Sequence, residues 1–226
     1  MTQAVVFDCD GVLVENTSSW RNIHEQFGTI DEEGDRDLND FLDGVISEEE
    51  FVERDIDKWK KVQPEIHRDD IMRCYSGVSL MNGAREVIEE LRSRGIYVAI
   101  ISSGVDLLVG TIARMLKVDD WAANGFEWDE DGWLVKGLPT VVYSHNKGIM
   151  VEKLIGINNF DSASVFCIGD SSTDLSMRVG DSQFIGFNPA RNRAISAFEA
   201  AEVPIVIEKD LRRIWPILFP GEVLAH

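Results

Sequence analysis

Short apolar runs rich in β-branched residues alternate along the chain with segments whose apolar residues recur every three or four positions. Four runs, Ala4 to Phe7, Ile96 to Ile101, Ser164 to Ile168 and Gln183 to Phe187, read as strands buried on both faces, and Pro204 to Ile207 reads as a fifth. Between them, Gly83 to Arg94 places Ala84, Val87, Ile88 and Leu91 on one helical face, with Gly95 as a stop. Asp106 to Lys117 carries Ile112, Met115 and Leu116 on a similar stripe, and Lys147 to Ile155 reads as another helix. This alternation predicts an α/β fold with a doubly wound parallel sheet, covered by helices on both faces.

The stretch from about Glu15 to Gly77 breaks the rhythm. It is acidic, with Leu38, Phe41, Leu42 and Val45 at helical spacing and a second stripe through Val52, Ile56 and Trp59. It reads as a helical cap, residues 15–77, inserted into a core formed by 1–14 and 78–226. Trp20 and Trp59 are expected in the small core of that cap, and the charges from Asp31 to Asp43 on a solvated helical face. Phe126 to Val135, with Asp129-Glu130-Asp131-Gly132 at its centre, reads as a small β-hairpin attached to the sheet.

A chain of 226 residues with 44% hydrophobic content can bury one core and a smaller unit. The first residues run straight into Asp8-Cys9-Asp10, too short an apolar stretch for a signal peptide or membrane span, which predicts a cytoplasmic protein without a membrane partner. Cys9, Cys74 and Cys167 have no metal-ligand spacing and predict neither disulfide nor zinc. A formal charge of -18 without a Lys/Arg cluster argues against nucleic acid. An anionic substrate must then be held by local positive charge and backbone N–H groups.

Three predicted strands end in polar residues: Asp8 and Asp10, Ser102 and Ser103, then Asp170 and Asp174. In an open parallel sheet the crevice beyond the carboxyl ends of the strands binds ligands, so these groups converge. Carboxylates brought together repel unless a cation sits among them, and an oxygen-only set favours magnesium over zinc.

The segments Asp8-Cys9-Asp10-Gly11-Val12, Ile101-Ser102-Ser103-Gly104, Lys147-Gly148 and Gly169-Asp170-Ser171-Ser172-Thr173-Asp174 resemble, in order, the four motifs of the haloacid dehalogenase superfamily. The likeness covers essentially the whole chain and is closest to the phosphoserine phosphatase branch. It implies a Rossmann-like core and a Mg2+-dependent phosphatase of a small phosphorylated metabolite. Asp8 would be the nucleophile and Asp10 the general acid and base. Ser102, the Ser103 N–H and Lys147 would hold phosphate, and Asp8, Asp170, Asp174 and the Asp10 carbonyl the metal. The acid at position 10 separates this chain from the dehalogenases, whose departing halide needs no proton.

The resemblance departs at substrate recognition. Phosphoserine phosphatases carry a glutamate for the substrate ammonium where this chain has Thr17, with Glu15 nearby, and Arg54 is the candidate partner for a substrate carboxylate. Thr173 stands where that branch usually has asparagine. A sugar phosphate, or a non-catalytic relative that binds a phospholigand or partner, are the alternatives this leaves. His145 reads as a surface or packing residue.

Overall fold

The computed structural model describes residues 1–224. Its strands are β1 (Ala4–Phe7), β2 (Tyr97–Val105), β3 (Asp120–Asn124), β4 (Phe126–Trp128), β5 (Leu134–Gly137), β6 (Val165–Gly169), β7 (Gln183–Phe187) and β8 (Ile205–Val206). Its α-helices are α1 (Ser19–Phe27), α2 (Glu32–Leu42), α3 (Glu48–Val62), α4 (Arg68–Arg73), α5 (Ala84–Ser93), α6 (Asp106–Leu116), α7 (Gly148–Asn158), α8 (Asn192–Ala200) and α9 (Trp215–Leu218). Six strands pair in parallel in the order β3-β2-β1-β6-β7-β8. The chain winds outward from β1 through β2 and β3, then returns to β6 on the other side, so the order reverses at β1 and opens a crevice there. No helix of the described residues is long and apolar enough to cross a membrane.

Period-two alternation divides each central strand between two cores. Val5, Phe7, Val98, Ile100, Phe166 and Ile168 point into one, with Val87 and Leu91 of α5 and Val109 and Ile112 of α6. Ala4, Val6, Ala99, Ile101, Val165 and Cys167 point into the other, against Val151 of α7 and Phe198 of α8. Both faces are therefore dry, which is why these strands read as unbroken apolar runs rather than as alternating ones. All three cysteines are free and buried.

The second strand runs longer than expected, through Ser102, Ser103 and Gly104 to Val105. The edge strand β3 has no counterpart in the sequence reading, because Asp-Trp-Ala-Ala-Asn lacks β-branched residues and is mostly exposed or half-buried. The hairpin β4–β5 is antiparallel but forms its own sheet, contrary to the expected attachment. Its partners are elsewhere: Phe126 packs edge-on to Trp20 at 5.4 Å and Trp59 at 5.9 Å, and Leu134 N–H donates to the Ile66 carbonyl at 2.8 Å. It braces the helical insertion rather than extending the sheet.

That insertion carries α1 to α4. The chain enters and leaves it side by side, with Glu15 N–H on the Ser79 carbonyl (3.0 Å) and Met81 N–H on the Leu13 carbonyl (2.9 Å). Trp59 is fully buried, as expected. The acidic face of α2 is not wholly solvated: Asp37 is buried and pairs with Lys58 Nζ of α3 at 2.5 Å and with Arg54 at 2.6 Å. Two helices with modest apolar faces are thus pinned by a buried ion pair, whose loss on one side leaves an uncompensated charge. Asp37→Ala should lower the unfolding free energy by about 3 kcal/mol, read as a reduced urea midpoint. A midpoint unchanged from the parent would show that α2 and α3 do not depend on this pair.

Candidate active site

Asp8 is the first residue past β1, and its N–H continues the ladder to the Ile168 carbonyl at 2.9 Å. Gly11 then turns the chain at φ +74°, where a side chain would be strained and a Cβ would lie 2.4 Å from Asp170 Oδ2. Asp170 follows β6, the neighbouring strand, so two carboxylates from opposite ends of the chain face each other across adjacent strand ends.

Lys147 reaches this point from the start of α7 and is 2% exposed. Its Nζ lies 3.0 Å from Asp8 Oδ1 and 2.6 Å from Asp174 Oδ1. Both oxygens are fully buried and lack a well-directed hydrogen bond, so the ammonium holds them by charge. Asp174, fully buried, spends Oδ2 on three donors: Asp170 N–H at 3.1 Å, Ser171 N–H at 2.9 Å and Ser171 Oγ at 2.8 Å. The Ser171-x-x-Asp174 spacing makes this a capping box on the short turn that follows β6.

Asp10 points the other way, into the N-terminus of α1. Ser19 N–H and Ser19 Oγ both donate to its Oδ2 at 2.7 Å, and Asn16 Nδ2 donates to Oδ1 at 3.0 Å. Ser19 Oγ also accepts from Val105 N–H at 2.9 Å, tying α1 to the end of β2. Gly104 makes this approach possible, since a Cβ there would sit 2.6 Å from Ser19 Oγ and 2.9 Å from Asp10 Oδ2. Ser102 to Gly104 lie beyond the last residue of β2 paired with β1 and inside the register break with β3, which leaves this segment free to turn polar groups toward the crevice. The Ser103 carbonyl accepts from Trp20 Nε1 at 3.0 Å, so Trp20 joins the insertion to the core besides stacking on Trp59.

Burial dominates the titration here. It raises Asp8 to about 6, an effect that Lys147 opposes and Asp174 and Asp10 reinforce. Burial also raises Asp10, against the hydrogen bonds from Ser19 and Asn16, and lifts Asp170 well above the carboxylate range, helped by Asp174 and Asp8. For Lys147 burial works against the charge, but Asp174 and Asp8 outweigh it and push its pKa upward. Asp8, Asp170 and Asp174 each offer an oxygen within 4.8 Å of the others. With Asp10, four carboxylates share a site with one ammonium, and the donors are all oxygens. Residues of this chemistry fit a hard divalent cation.

A cavity of about 800 Å³ opens over these groups. Asp8, Asp10, Ser102, Ser103, Lys147 and Asp170 line it, while Asp174 lies behind them. Thr17 also lines it. Glu15 does not: it borders a separate small hollow beside Asn16 and Ser79. Arg54 is likewise absent from the cavity, held on the insertion by Asp37 and by Glu50 at 2.6 Å. His145 lines the cavity and packs on Phe41 at 5.4 Å. Ser19 and Asn16, which hold Asp10, were not expected, because a serine or asparagine near a helix start carries an ordinary capping signal.

A family model described as haloacid dehalogenase-like hydrolase matches residues 5–178. The phosphoserine phosphatase of Methanocaldococcus jannaschii is 29% identical over 174 residues, 76% of this chain and 79% of that protein. That of Campylobacter jejuni subsp. doylei is 29% identical over 109 residues, 47% of this chain and 52%, about half, of its own length. A solved structure of a phospho-aspartyl intermediate analogue of phosphoserine phosphatase superposes with a TM-score of 0.76 at 25% identity, covering 96% of this chain and 99% of that one. The family match over residues 5–178, well over half of the chain, establishes that this chain belongs to the haloacid dehalogenase-like hydrolases.

Proposed function

We infer that the chain is a Mg2+-dependent phosphomonoesterase of a small metabolite, working through an aspartyl-phosphate on Asp8, with O-phosphoserine as the reference ester. The observation that carries this reading is the buried Lys147 ammonium bridging Asp8 and Asp174 beneath a cavity, with Asp170 alongside. The phosphoserine phosphatase names of the relatives supply the ester.

Asp8 attacks phosphorus, and the leaving oxygen takes a proton from Asp10, whose carboxyl is pushed above its ordinary pKa by burial. Asp10 then accepts a proton from the water that hydrolyses the aspartyl-phosphate. Ser102, the Ser103 N–H and Lys147 bind the phosphoryl oxygens, where charge accumulates. Asp8 and Asp170, with the Asp10 carbonyl, would hold Mg2+, and Asp174, its Oδ2 already saturated, would orient that shell. The ion supplies charge stabilisation to the phosphoryl oxygens when bound. Residues 15–77 act in this reading as a cap that excludes bulk water, the core being 1–14 and 78–226. A cytoplasmic location fits such a role.

With Mg2+, wild-type protein should release phosphate from O-phosphoserine or another ester in a panel that includes sugar phosphates, and Asp8→Asn should reduce turnover by at least about 10³-fold. Turnover surviving in Asp8→Asn would remove the nucleophile assignment, and no turnover on any ester by the metal-loaded protein would favour a phospholigand-binding role. Asp10→Asn should lower kcat on alkyl phosphates by about 10²-fold or more. On p-nitrophenyl phosphate, whose leaving group needs no proton, the same variant should retain a pre-steady-state burst. A lost burst would count against the acid role.

The Asp8 carboxyl has a pKa of about 6 against an ordinary 3.8, so without metal it contributes stability below pH 3.8 that is lost as pH rises through 6. Mg2+ favours the ionised form and stabilises the fold by about 2.7 kcal/mol at a hundred times its Kd. The gain in melting temperature on adding Mg2+ should therefore be larger at about pH 7.5 than at about pH 5. Equal gains at both values would contradict binding at these carboxylates.

A further inference from the structure

The first helix of the insertion opens on two serines, and only one of them serves that helix. Ser18 is the N-cap of α1, with an extended backbone and an Oγ that accepts from Arg21 N–H at 3.2 Å. Ser19, the first helical residue, is thereby free of capping duty, yet it is fully buried. Its hydroxyl is spent between two segments of the core.

The direction of each of those bonds is fixed. Val105 N–H can only donate, and it meets Ser19 Oγ at 2.9 Å. The single Ser19 hydroxyl proton then goes to Asp10 Oδ2 at 2.7 Å, where Ser19 N–H also arrives at 2.7 Å. Asp10 Oδ2 thus holds two donors supplied by one residue. Oδ1 receives Asn16 Nδ2 at 3.0 Å and keeps a lone pair for the proton that an ester oxygen takes. Turning the carboxyl away would strand the Ser19 hydroxyl and N–H together, and buried donors without acceptors are costly.

Close packing makes the contact possible. A Cβ on Gly104 would lie 2.6 Å from Ser19 Oγ and 2.9 Å from Asp10 Oδ2, so a residue without a side chain admits the serine. The next residue of α1, Trp20, donates to the Ser103 carbonyl at 3.0 Å. Ser19 and Trp20 together hold α1 against the end of β2, and the aim of Asp10 depends on where α1 sits. Ser19 itself is not among the residues that line the cavity.

We propose that Ser19 is a positioning residue for leaving-group protonation: α1 brings its hydroxyl and N–H to one oxygen of Asp10 and thereby aims the other at the ester oxygen. The proposal rests on the phosphomonoesterase reading, in which the Asp10 proton passes to the ester oxygen as the bond from that oxygen to phosphorus breaks. Because Ser19 stays clear of the cavity, its effect runs entirely through Asp10.

Two comparisons of kcat/KM with Mg2+ test it, since that constant covers the steps up to departure of the leaving group. In Ser19→Ala, kcat/KM for the alkyl phosphate that the parent turns over best should fall at least tenfold further than kcat/KM for p-nitrophenyl phosphate, whose leaving group needs no proton. In an Asp10→Asn background the same substitution should cost that alkyl ester less than about threefold, because no acid is left to aim. Ser19→Cys, close in volume but a weak donor, should show the same order of losses and replaces Ser19→Ala if that variant lacks native near-UV circular dichroism. Equal losses on the two esters, or the full loss recurring in Asp10→Asn, would overturn the proposal and leave the phosphomonoesterase reading standing. A parent that releases no phosphate from any ester with Mg2+ would overturn both.

Discussion

The Lys147 ammonium is the fixed point of this molecule. It is 2% exposed and stands between Asp8 and Asp174, so three segments that are far apart in sequence must meet wherever it is placed. A buried lysine without those carboxylates would lose its proton, and the carboxylates without the lysine would repel one another. Neither half is tolerable alone. The sheet order solves the problem by putting β1 and β6 side by side, and α7 brings the lysine to their ends.

Around that point the charges remain unbalanced, with four carboxylates to one ammonium. The imbalance is what makes the crevice suited to a cation and an anionic phosphoryl group together. Asp10 is set apart from its neighbours by being turned into the first turn of α1, where N–H groups and a serine hydroxyl meet it. Two aspartates two residues apart thereby acquire different surroundings, one facing a lysine and the other a helix terminus. Different surroundings are what the proposed division into nucleophile and acid requires of one residue type.

The insertion shares one apolar cluster with the core, in which Ile23, Trp59 and Ile71 join Val105 and Leu108, and polar contacts tie it further to the loops at the strand ends. Ser19 joins Asp10 to Val105, Trp20 donates to the Ser103 carbonyl, and Glu48 of α3 accepts from both Ser144 Oγ (2.7 Å) and Ser144 N–H (2.9 Å), three residues before Lys147. Each contact ends on a segment that carries a site residue. The position of the helices and the geometry of the segment 102–105 are therefore linked through a handful of hydrogen bonds beside that apolar contact.

Much of this was legible in the chain itself. Strands buried on both faces declare themselves as apolar runs, and Asp8, Asp10, Ser102, Lys147 and Asp170 stand at strand ends or a helix start, so local pattern pointed to the sheet core and to the crevice where these residues meet. Edge strand β3 escaped because its residues have no apolar period, and the hairpin was misplaced because its partners, Trp20, Trp59 and Ile66, are distant in sequence. The cap wall was the least legible part. Arg54 and Asp55 are adjacent, and nothing in their order says which one faces the cavity; that is settled by Asp37 and Glu50 capturing the arginine and His24 meeting the aspartate. The sequence determined most of the elements and the candidate reacting groups, since these follow from periodicity and from residue type at strand ends. Only the tertiary structure decided which charges are neutralised by neighbours and which are left facing the ligand, because that depends on side chains brought together by packing.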